Sequence, residues 1–511
     1  MSKSSMIDLA KKYGIHIILF VIALVTYLSI SFNLFNYDDC CYFLGAIGIL
    51  QNHTYLVNGV PSQYPMGYSL LIVPFIYFFG TGVQSGVYPC AILGALTVVL
   101  LYEFTKDLFD WRAALFASLF LIFSYHWWVS SRILSDVPAL FFVLLSIFAA
   151  VKYIKTEKSS FVYLFYLAAG FACLIRYDSA LTFVIVGLYL LLSKKTHLLK
   201  QKEVWLGIPL FFVILSPQMI YNHIYFGSPF TMGYSLGYTY SGQLFSLEYF
   251  STSDVRWLRP QFQIIGYIKY CVAGFGTPIL PFFLYGVWHW IKERKREELS
   301  LILLWIAVPL VTFSFYFYHS PRHITLIFPA LLIISGHGFS KMCGTSIIKK
   351  KKLKKILIVL LLVILLIPTA MFWFDSIQER EAYRGCQKET FIWIRENSGV
   401  DDIILSHSFL PYEYHSQRKI YSLQTSHNEL EKLISTHNNT YLVIRDAWKG
   451  GYYASDTGQW LNEKYGLTHL KRFESESGVS LTSKLLHNIR SKAGIYFIQA
   501  IDRWDVYLIV K

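Results

Sequence analysis

Charged residues are scarce in this sequence. Only 15% of its 511 residues are Asp, Glu, Lys or Arg, whereas 54% are hydrophobic and 18% are aromatic. A soluble domain carries about 25% charged residues. The composition therefore excludes a soluble enzyme for most of the chain and predicts an integral membrane protein with many spans.

The sequence also lacks the signatures of several other classes of protein. Its 7 cysteines show no metal-type spacing, so they predict neither a disulfide framework nor a zinc site. There is no internal repeat, and no small-residue cleavage site follows the first apolar run, which predicts an uncleaved anchor rather than a signal peptide. The net charge of +14 comes from short basic runs between apolar segments. That pattern is typical of cytoplasmic loops and not of a nucleic-acid partner.

What is present is a series of apolar runs. A membrane-spanning helix needs about 20 apolar residues. The sequence predicts about eleven spans, at roughly 13–34, 87–105, 112–131, 135–153, 160–176, 178–193, 203–222, 263–291, 299–318, 323–341 and 356–374.

A further apolar run at 65–80 is shorter and contains two prolines. If it crossed the membrane, the lysine-rich segments 194–202 and 349–355 would fall outside, against the positive-inside rule. If it returns to its own face, six basic regions lie together inside. We therefore predict a re-entrant segment, a cytoplasmic N-terminus and an outer cavity that covers the non-spanning backbone.

The end of the chain has the composition of a soluble domain. Residues 391–395 predict a helix, and 403–405, 441–444, 495–498 and 506–510 predict strands. The fold class expected is an all-α polytopic membrane domain over 1–374, followed by a small extracytoplasmic α/β domain over 375–511. The protein is thus expected to be a multi-pass protein of the cytoplasmic membrane.

Two adjacent carboxylates, Asp38 and Asp39, directly follow the first apolar run. Either one can cap an amphipathic helix that reaches Gln51 and lies along the membrane surface. As a functional pair they would instead provide a general base and a second carboxylate that positions substrate or a metal. The pattern of this segment alone favours the cap.

Three further groups of charged residues fall on the same predicted outer face: Arg132 with Asp136, Arg176 with Asp178, and Arg322 with His323. Each group alone fits a structural ion pair, a helix start or a snorkelling side chain. Together, beside a cavity-forming segment in a charge-poor protein, they predict an active or binding site. The planar fork of an arginine suits a phosphate, so the chemistry expected is transfer from a phosphate-linked lipid.

These residues resemble the GT-C superfamily of glycosyltransferases, in particular the protein O-mannosyltransferases (glycosyltransferase family 39) and the aminoarabinose transferases acting on lipid A. The family's Asp-Glu-x-x-Tyr is similar to Asp38-Asp39-Cys40-Cys41-Tyr42, with Asp in place of Glu. The resemblance extends over about 13–340. Its other points are Tyr64-Pro65-Met66-Gly67-Tyr68, the stretches from Arg132 to Pro138, Leu174 to Asp178 and Tyr221 to Phe230, and Pro321-Arg322-His323.

The resemblance implies inverting transfer of a sugar from a polyprenyl-phosphate donor to a lipid, glycan or protein acceptor on the outer face. Asp38 would be the catalytic base, Asp39 its partner and Arg322 a contact to the lipid phosphate. The substrate-binding residues implied are Tyr42, Tyr64, Arg132, Asp136, Arg176, Asp178, Arg322 and His323. No cofactor is firmly implied: a metal-independent reaction is expected because no Asp-x-Asp stands in the outer loops, with a divalent metal left open.

A non-enzymatic lipid or glycolipid transporter or flippase is the alternative function. Transporters often show inverted repeats and charges near the bilayer midplane. This sequence shows no repeat, and its charges gather at one predicted face. Release of free polyprenyl phosphate from a labelled donor distinguishes the two, because a transporter leaves the donor intact.

Overall fold

The computed structural model of this chain is mostly helical and contains a small sheet. It describes residues 3–29, 37–57, 59–233, 244–246, 264–268, 271, 279–293, 296–316, 320–344, 351–406, 410–423, 425–445, 455–476 and 501–510. These residues form two compact units. The first contains those within Met1–Ile30 and Tyr42–Trp373, and the second those within Ser31–Cys41, Phe374–Lys492 and Tyr496–Lys511. That the first unit is a transferase domain and the second an extracytoplasmic one stays a prediction.

The first unit is built from helices. In chain order the described helices are α1 (Lys3–Leu28), α2 (Tyr37–Asn52), α3 (Gly67–Phe79), α4 (Val83–Leu108), α5 (Trp111–Ile122), α6 (Tyr125–Ser130), α7 (Asp136–Thr156), α8 (Ser159–Ile175), α9 (Leu181–Leu192), α10 (Lys202–Phe226), α11 (Ile279–Lys292), α12 (Arg296–Ser314), α13 (Phe328–Gly344) and α14 (Lys351–Asn397). The unit boundaries fall inside α2 and α14. Short 3-10 segments cover Tyr177–Ala180, Thr196–Lys200 and Pro321–Ile327, and a two-residue hairpin pairs β1 (Leu56–Val57) with β2 (Val60–Pro61).

The apolar lengths of these helices fit a membrane protein. By length and composition, five described helices can cross a bilayer: Val83–Leu108, Asp136–Thr156, Lys202–Phe226, Glu297–Ser314 and Arg322–Gly344. Shorter apolar helices include Gly67–Phe79, which coincides with the predicted re-entrant segment. The number of about eleven spans, the re-entrant course and the orientation of the termini stay predictions, and part of the predicted span 263–291 lies outside the described residues.

Two local expectations are wrong. The predicted single span 112–131 is broken into α5 and α6, because Ser124 accepts a hydrogen bond from the backbone N–H of His126 and so starts a new helix. The helix α2 begins at Tyr37, one residue before the predicted caps. It is also not amphipathic: the consecutive residues from Asp39 to Phe43 are all buried, which a surface helix with one apolar face does not allow.

The second unit contains a five-stranded mixed sheet. Its strands are β3 (Ile403–Ser406), β4 (Lys419–Ser422), β5 (Thr440–Arg445), β6 (Gly466–Glu476) and β7 (Ile501–Val510), in the order β4-β3-β5-β7-β6. The pairs of β3 with β4 and β5 are parallel, and β7 pairs antiparallel with β5 and β6. The predicted strands 403–405, 441–444 and 506–510 are present. The predicted strand 495–498 lies outside the described residues.

Alternation along β5 gives this sheet two buried faces. Tyr441 and Val443 pack with Phe391 on one side. Leu442 and Ile444 pack on the other side with apolar residues that include those of the helix His427–Thr436. A sheet covered on both faces fits the continuous apolar run of β5, whereas a half-exposed strand would alternate with polar residues.

In the first unit, α11 and α13 touch through glycine. A Cβ added to Gly338 would collide with the backbone of Phe282, and one added to Gly286 would collide with the Ile334 carbonyl. Small residues of this kind let helix backbones approach closely, which is how apolar helices gain packing contacts where the hydrophobic effect is weak.

We therefore expect Gly338→Ala to lower the thermal unfolding temperature of the purified protein in detergent. Overpacking costs about 1–3 kcal/mol, whereas Ala in place of Gly inside a helix otherwise stabilises by about 0.5–1 kcal/mol. Gly14→Ala in α1 is the control, because no atom lies within 4 Å of the added Cβ. Intrinsic fluorescence measures both, and equal shifts would show that the contact does not limit stability.

Candidate active site

A tight helical hairpin brings the first two charged residues of the site together. The helices α7 and α8 are joined by only two residues, so the start of α7 lies beside the end of α8. Asp136 is the first residue of α7, and Arg176 directly follows α8. Arg176 donates a hydrogen bond from Nη1 to Asp136 Oδ1 at 2.9 Å.

The 3-10 segment Pro321–Ile327 supplies a second arginine to the same carboxylate. Ser320 caps this segment by accepting from the backbone N–H of Arg322. The Arg322 side chain donates from Nε to Asp136 Oδ2 at 3.0 Å, and its Nη2 lies 2.8 Å from the same oxygen. Asp136 therefore holds one guanidinium on each of its two oxygens.

A second carboxylate completes an alternating row of charges. Arg176 donates from Nε and Nη2 to Asp178, at 3.0 Å and 2.7 Å. We call the row Asp178–Arg176–Asp136–Arg322 the ion-pair chain. The Asp136 side chain is only 1% exposed, against 19% for Asp178. Buried charges are tolerated only when each is paired. The ion-pair chain meets this condition, because it contains two negative and two positive groups.

The ion-pair chain borders a cavity of about 290 Å³ in the first unit. Arg176, Asp178 and His323 are three predicted site residues in its wall, and the remaining wall is largely apolar and aromatic. The His323 ring stacks on Phe313 at 4.6 Å, and its Nδ1 lies 2.9 Å from the Tyr267 hydroxyl. The cavity thus combines an apolar surface with a few fixed polar groups, as small-molecule sites do.

The segment before α3 closes one side of this region through backbone contacts. Gln218 of α10 accepts a hydrogen bond from the Met66 N–H at 2.8 Å, and Tyr221 donates to the Ser62 carbonyl at 3.0 Å. A Cβ on Gly67 would collide with the Leu174 carbonyl at the end of α8. Only glycine fits there, so the Tyr64–Tyr68 motif packs directly against the hairpin that carries Arg176.

Sequence reasoning missed Gln218 and Tyr267. Gln218 had a usable signal, because an amide inside an apolar span rarely stands without a buried partner. Its side chain also donates to Asn222, which lies in the family-like stretch Tyr221 to Phe230. Tyr267 had no such signal, since aromatic residues are abundant throughout the chain.

Three of the proposed substrate-binding residues, Tyr42, Tyr64 and Arg132, make contacts within the protein. The Tyr42 hydroxyl donates to Ser135 at 2.8 Å, next to Asp136, and its ring packs against Tyr64 with centroids 5.3 Å apart. Both tyrosines are buried. The guanidinium of Arg132 lies over the Trp128 ring at 4.8 Å and is also buried. These residues support the site, and their contact with a substrate stays a prediction.

Asp38 and Asp39 lie in the first turn of α2 and belong to the second unit. Asp39 is fully buried, whereas Asp38 is partly exposed. Burial, followed by the charge of Asp39, holds the pKa of the neighbouring Cys40 thiol well above its usual value. A thiol with a raised pKa is a poorer nucleophile at neutral pH.

A divalent metal does not fit the ion-pair chain. Both of its carboxylates, Asp136 and Asp178, are occupied by guanidinium groups. Among the residues that the structure describes, no group of three or more His, Cys, Asp and Glu side chains could hold a metal ion.

Comparisons with known proteins decide the fold. Residues 63–221 match the family model of dolichyl-phosphate-mannose-protein mannosyltransferase. ArnT from Cupriavidus metallidurans in the apo state superposes with a TM-score of 0.64 at 13% identity, over 91% of this chain and 97% of that chain. The chain has the fold of the GT-C glycosyltransferases. The predicted resemblance to the GT-C superfamily is confirmed at the level of the fold.

Two further structures share this GT-C fold and carry ligands. ArnT bound to undecaprenyl phosphate has a TM-score of 0.61 at 13% identity, over 92% of this chain and 97% of that chain. The second is archaeal oligosaccharyltransferase AglB from Archaeoglobus fulgidus, in complex with an inhibitory peptide and a dolichol-phosphate. Its TM-score is 0.57 at 12% identity, over 92% of this chain and 74% of that chain.

A relative in sequence is an uncharacterized protein of Aquifex aeolicus (strain VF5). It is 25% identical over 251 residues, which is 48% of this chain and 46% of that protein. The alignment thus spans about half of each protein. The activity, substrates and partners of this chain are accordingly matters for proposal.

We expect Asp136→Asn to destabilise the protein by up to about 3–5 kcal/mol, because it leaves two partly buried guanidiniums side by side without their shared anion. Asp107→Asn is the matched control: its carboxylate pairs with Lys152 and is 36% exposed, so its loss should cost about 0–1 kcal/mol. Thermal unfolding in detergent measures both. Equal losses would mean that the ion-pair chain does not hold the helix ends together.

Proposed function

We propose that this chain is a membrane glycosyltransferase that moves a sugar from a polyprenyl-phosphate donor to an acceptor on the outer face. The cavity with Arg176 and His323 in its wall, within a GT-C fold, is the observation that carries this proposal. A guanidinium and an imidazole beside an apolar surface suit a phosphate on a lipid. The undecaprenyl phosphate on ArnT and the dolichol-phosphate on AglB support a lipid phosphate as the donor's carrier.

In the proposed reaction Asp38 accepts the proton of the acceptor hydroxyl as its oxygen attacks the anomeric carbon. A new glycosidic bond forms on the face opposite to the phosphate, the bond from that carbon to the phosphate oxygen breaks, and the configuration inverts. Polyprenyl phosphate leaves with the bonding electrons and gains negative charge. Arginine N–H groups stabilise that charge as it develops. Asp39 is the proposed partner of the base.

Asp136 acts in this scheme as a positioning residue. It orients Arg322 through both Nε and Nη2, so the guanidinium plane is fixed before any phosphate arrives. Preorganised donors of this kind cost no rearrangement at the moment of reaction. Arg322 is the proposed phosphate contact, and Arg176 and Asp178 line the substrate cavity. The sugar is a hexose or pentose, and the acceptor is a lipid, a glycan or a protein.

The first test replaces the proposed base. Asp38→Asn should fold with an unchanged thermal unfolding temperature, yet lower the release of polyprenyl phosphate about 100-fold or more, because general base catalysis is lost. Membrane extracts incubated with a panel of labelled polyprenyl-phosphate sugars provide the assay. Asp401→Asn, at an exposed turn of the second unit, is the control. Near-normal release by Asp38→Asn would sink the base assignment, and an intact donor with wild-type protein would favour the transporter.

The second test separates charge from geometry at Arg322. Arg322→Gln should lower kcat/KM by about 10²–10³-fold if the guanidinium stabilises the leaving phosphate. Arg322→Lys keeps the positive charge and loses the planar fork, so its kcat/KM should lie between those of the wild type and Arg322→Gln. Arg112→Gln, next to the cap of α5, is the control. Equal activity of all four proteins would remove Arg322 from the proposed site.

A further inference from the structure

A second cavity, of about 120 Å³, lies between α7, α8 and α9. The 3-10 segment Thr196–Lys200 covers part of it through Leu198 and Leu199. This cavity shares no lining residue with the cavity of the candidate active site, although α9 contributes to the walls of both. The helix α7 begins with Asp136 and first lines the second cavity at Ala150, and 14 residues of helix span about 21 Å at 1.5 Å per residue.

The wall of this cavity is almost entirely hydrocarbon. Phe165, Phe183, Val186 and Leu190 contribute side chains to it. Gly187 also lines it, and a Cβ added there would meet no atom within 4 Å. Apolar cavities of this size stay dry and accept apolar groups. A hydrocarbon chain is therefore the chemically matched occupant.

The two connections beside the cavity are strongly basic. The two connections beside it, 155–158 and 194–203, carry six lysines and two glutamates, an excess of four positive charges. Hydrogen bonds tie the two connections together: Tyr153 donates to Gln201, and Gln201 donates to Glu157 at 3.3 Å. The positive-inside rule assigns this end to the cytoplasmic leaflet, where anionic lipids attract clustered lysines.

We propose that this cavity binds an anionic phospholipid of the cytoplasmic leaflet. One acyl chain enters the cavity between α8 and α9, and the headgroup phosphate lies against the lysines of the two connections. The positive charge of the two connections identifies the occupant as anionic, and the apolar wall identifies it as a lipid and not a free phosphate. This site is independent of sugar transfer.

The experiment compares two lipids that differ only in the headgroup. Purified full-length protein in detergent is titrated with phosphatidylglycerol or with phosphatidylcholine of the same acyl chains. A ligand that binds only the folded state raises the unfolding temperature, here by about 3 °C or more at saturation. We expect this rise with phosphatidylglycerol alone. Equal rises with both lipids would overturn the anionic site, and inorganic phosphate giving the same rise would overturn the acyl-chain site.

Two variants, each with a matched control, locate the binding site of the lipid. Gly187→Leu fills the cavity and should abolish the rise, whereas Gly187→Ala, which adds one methyl group, should keep it. Lys195→Gln/Lys200→Gln should weaken the preference for phosphatidylglycerol at least several-fold. Its matched control, Lys106→Gln/Lys292→Gln, removes two lysines from other helix ends. If Gly187→Leu fails to fold, the lysine pair decides, and an undiminished preference in that pair overturns the proposal.

Discussion

One buried carboxylate determines where the ends of several helices lie. Asp136 holds Arg176 with one oxygen and Arg322 with the other. Neither arginine tolerates burial without an anion, so the end of α8 and the start of the 3-10 segment before α13 must both meet the start of α7. The position of Asp136 in the first turn of α7 also places its negative charge at the favourable end of the helix dipole. The cavity beside Arg176 follows from this arrangement.

The sequence predicts the members of this site better than their partners. In a chain with so few charges, a charged residue beside an apolar run needs a compensating group, which is why Arg176, Asp178 and Arg322 stand out. The spacing of Arg132 and Asp136 suggests a local pair, but Asp136 pairs with Arg176 and Arg322, which are distant in the sequence. The guanidinium of Arg132 lies over the Trp128 ring. Partners of this kind depend on tertiary packing, which local spacing does not encode.

The same distinction holds for the fold. Long apolar runs predict helices well, and the continuous apolar strand β5 is recognisable. The break between α5 and α6 at Ser124 is not recognisable from the sequence, because a hydropathy profile does not detect a capping hydroxyl group. The strands β4 and β6 carry too many polar residues to be recognised from the sequence. Both are at the edges of the sheet, where a strand has a neighbouring strand on one side only. Contacts such as that of Gly338 with Phe282 depend on two helices meeting and leave no local pattern.

The contacts of the segment before α3 also constrain the order in which the protein is made. The Met66 N–H is paired with Gln218, 152 residues later in the chain, and Gly67 packs against the end of α8. During synthesis this segment therefore reaches the membrane long before its partners exist. A backbone donor without a partner is costly in hydrocarbon. A ribosome stalled before residue 218 would therefore leave this wall of the cavity without its Gln218 contact.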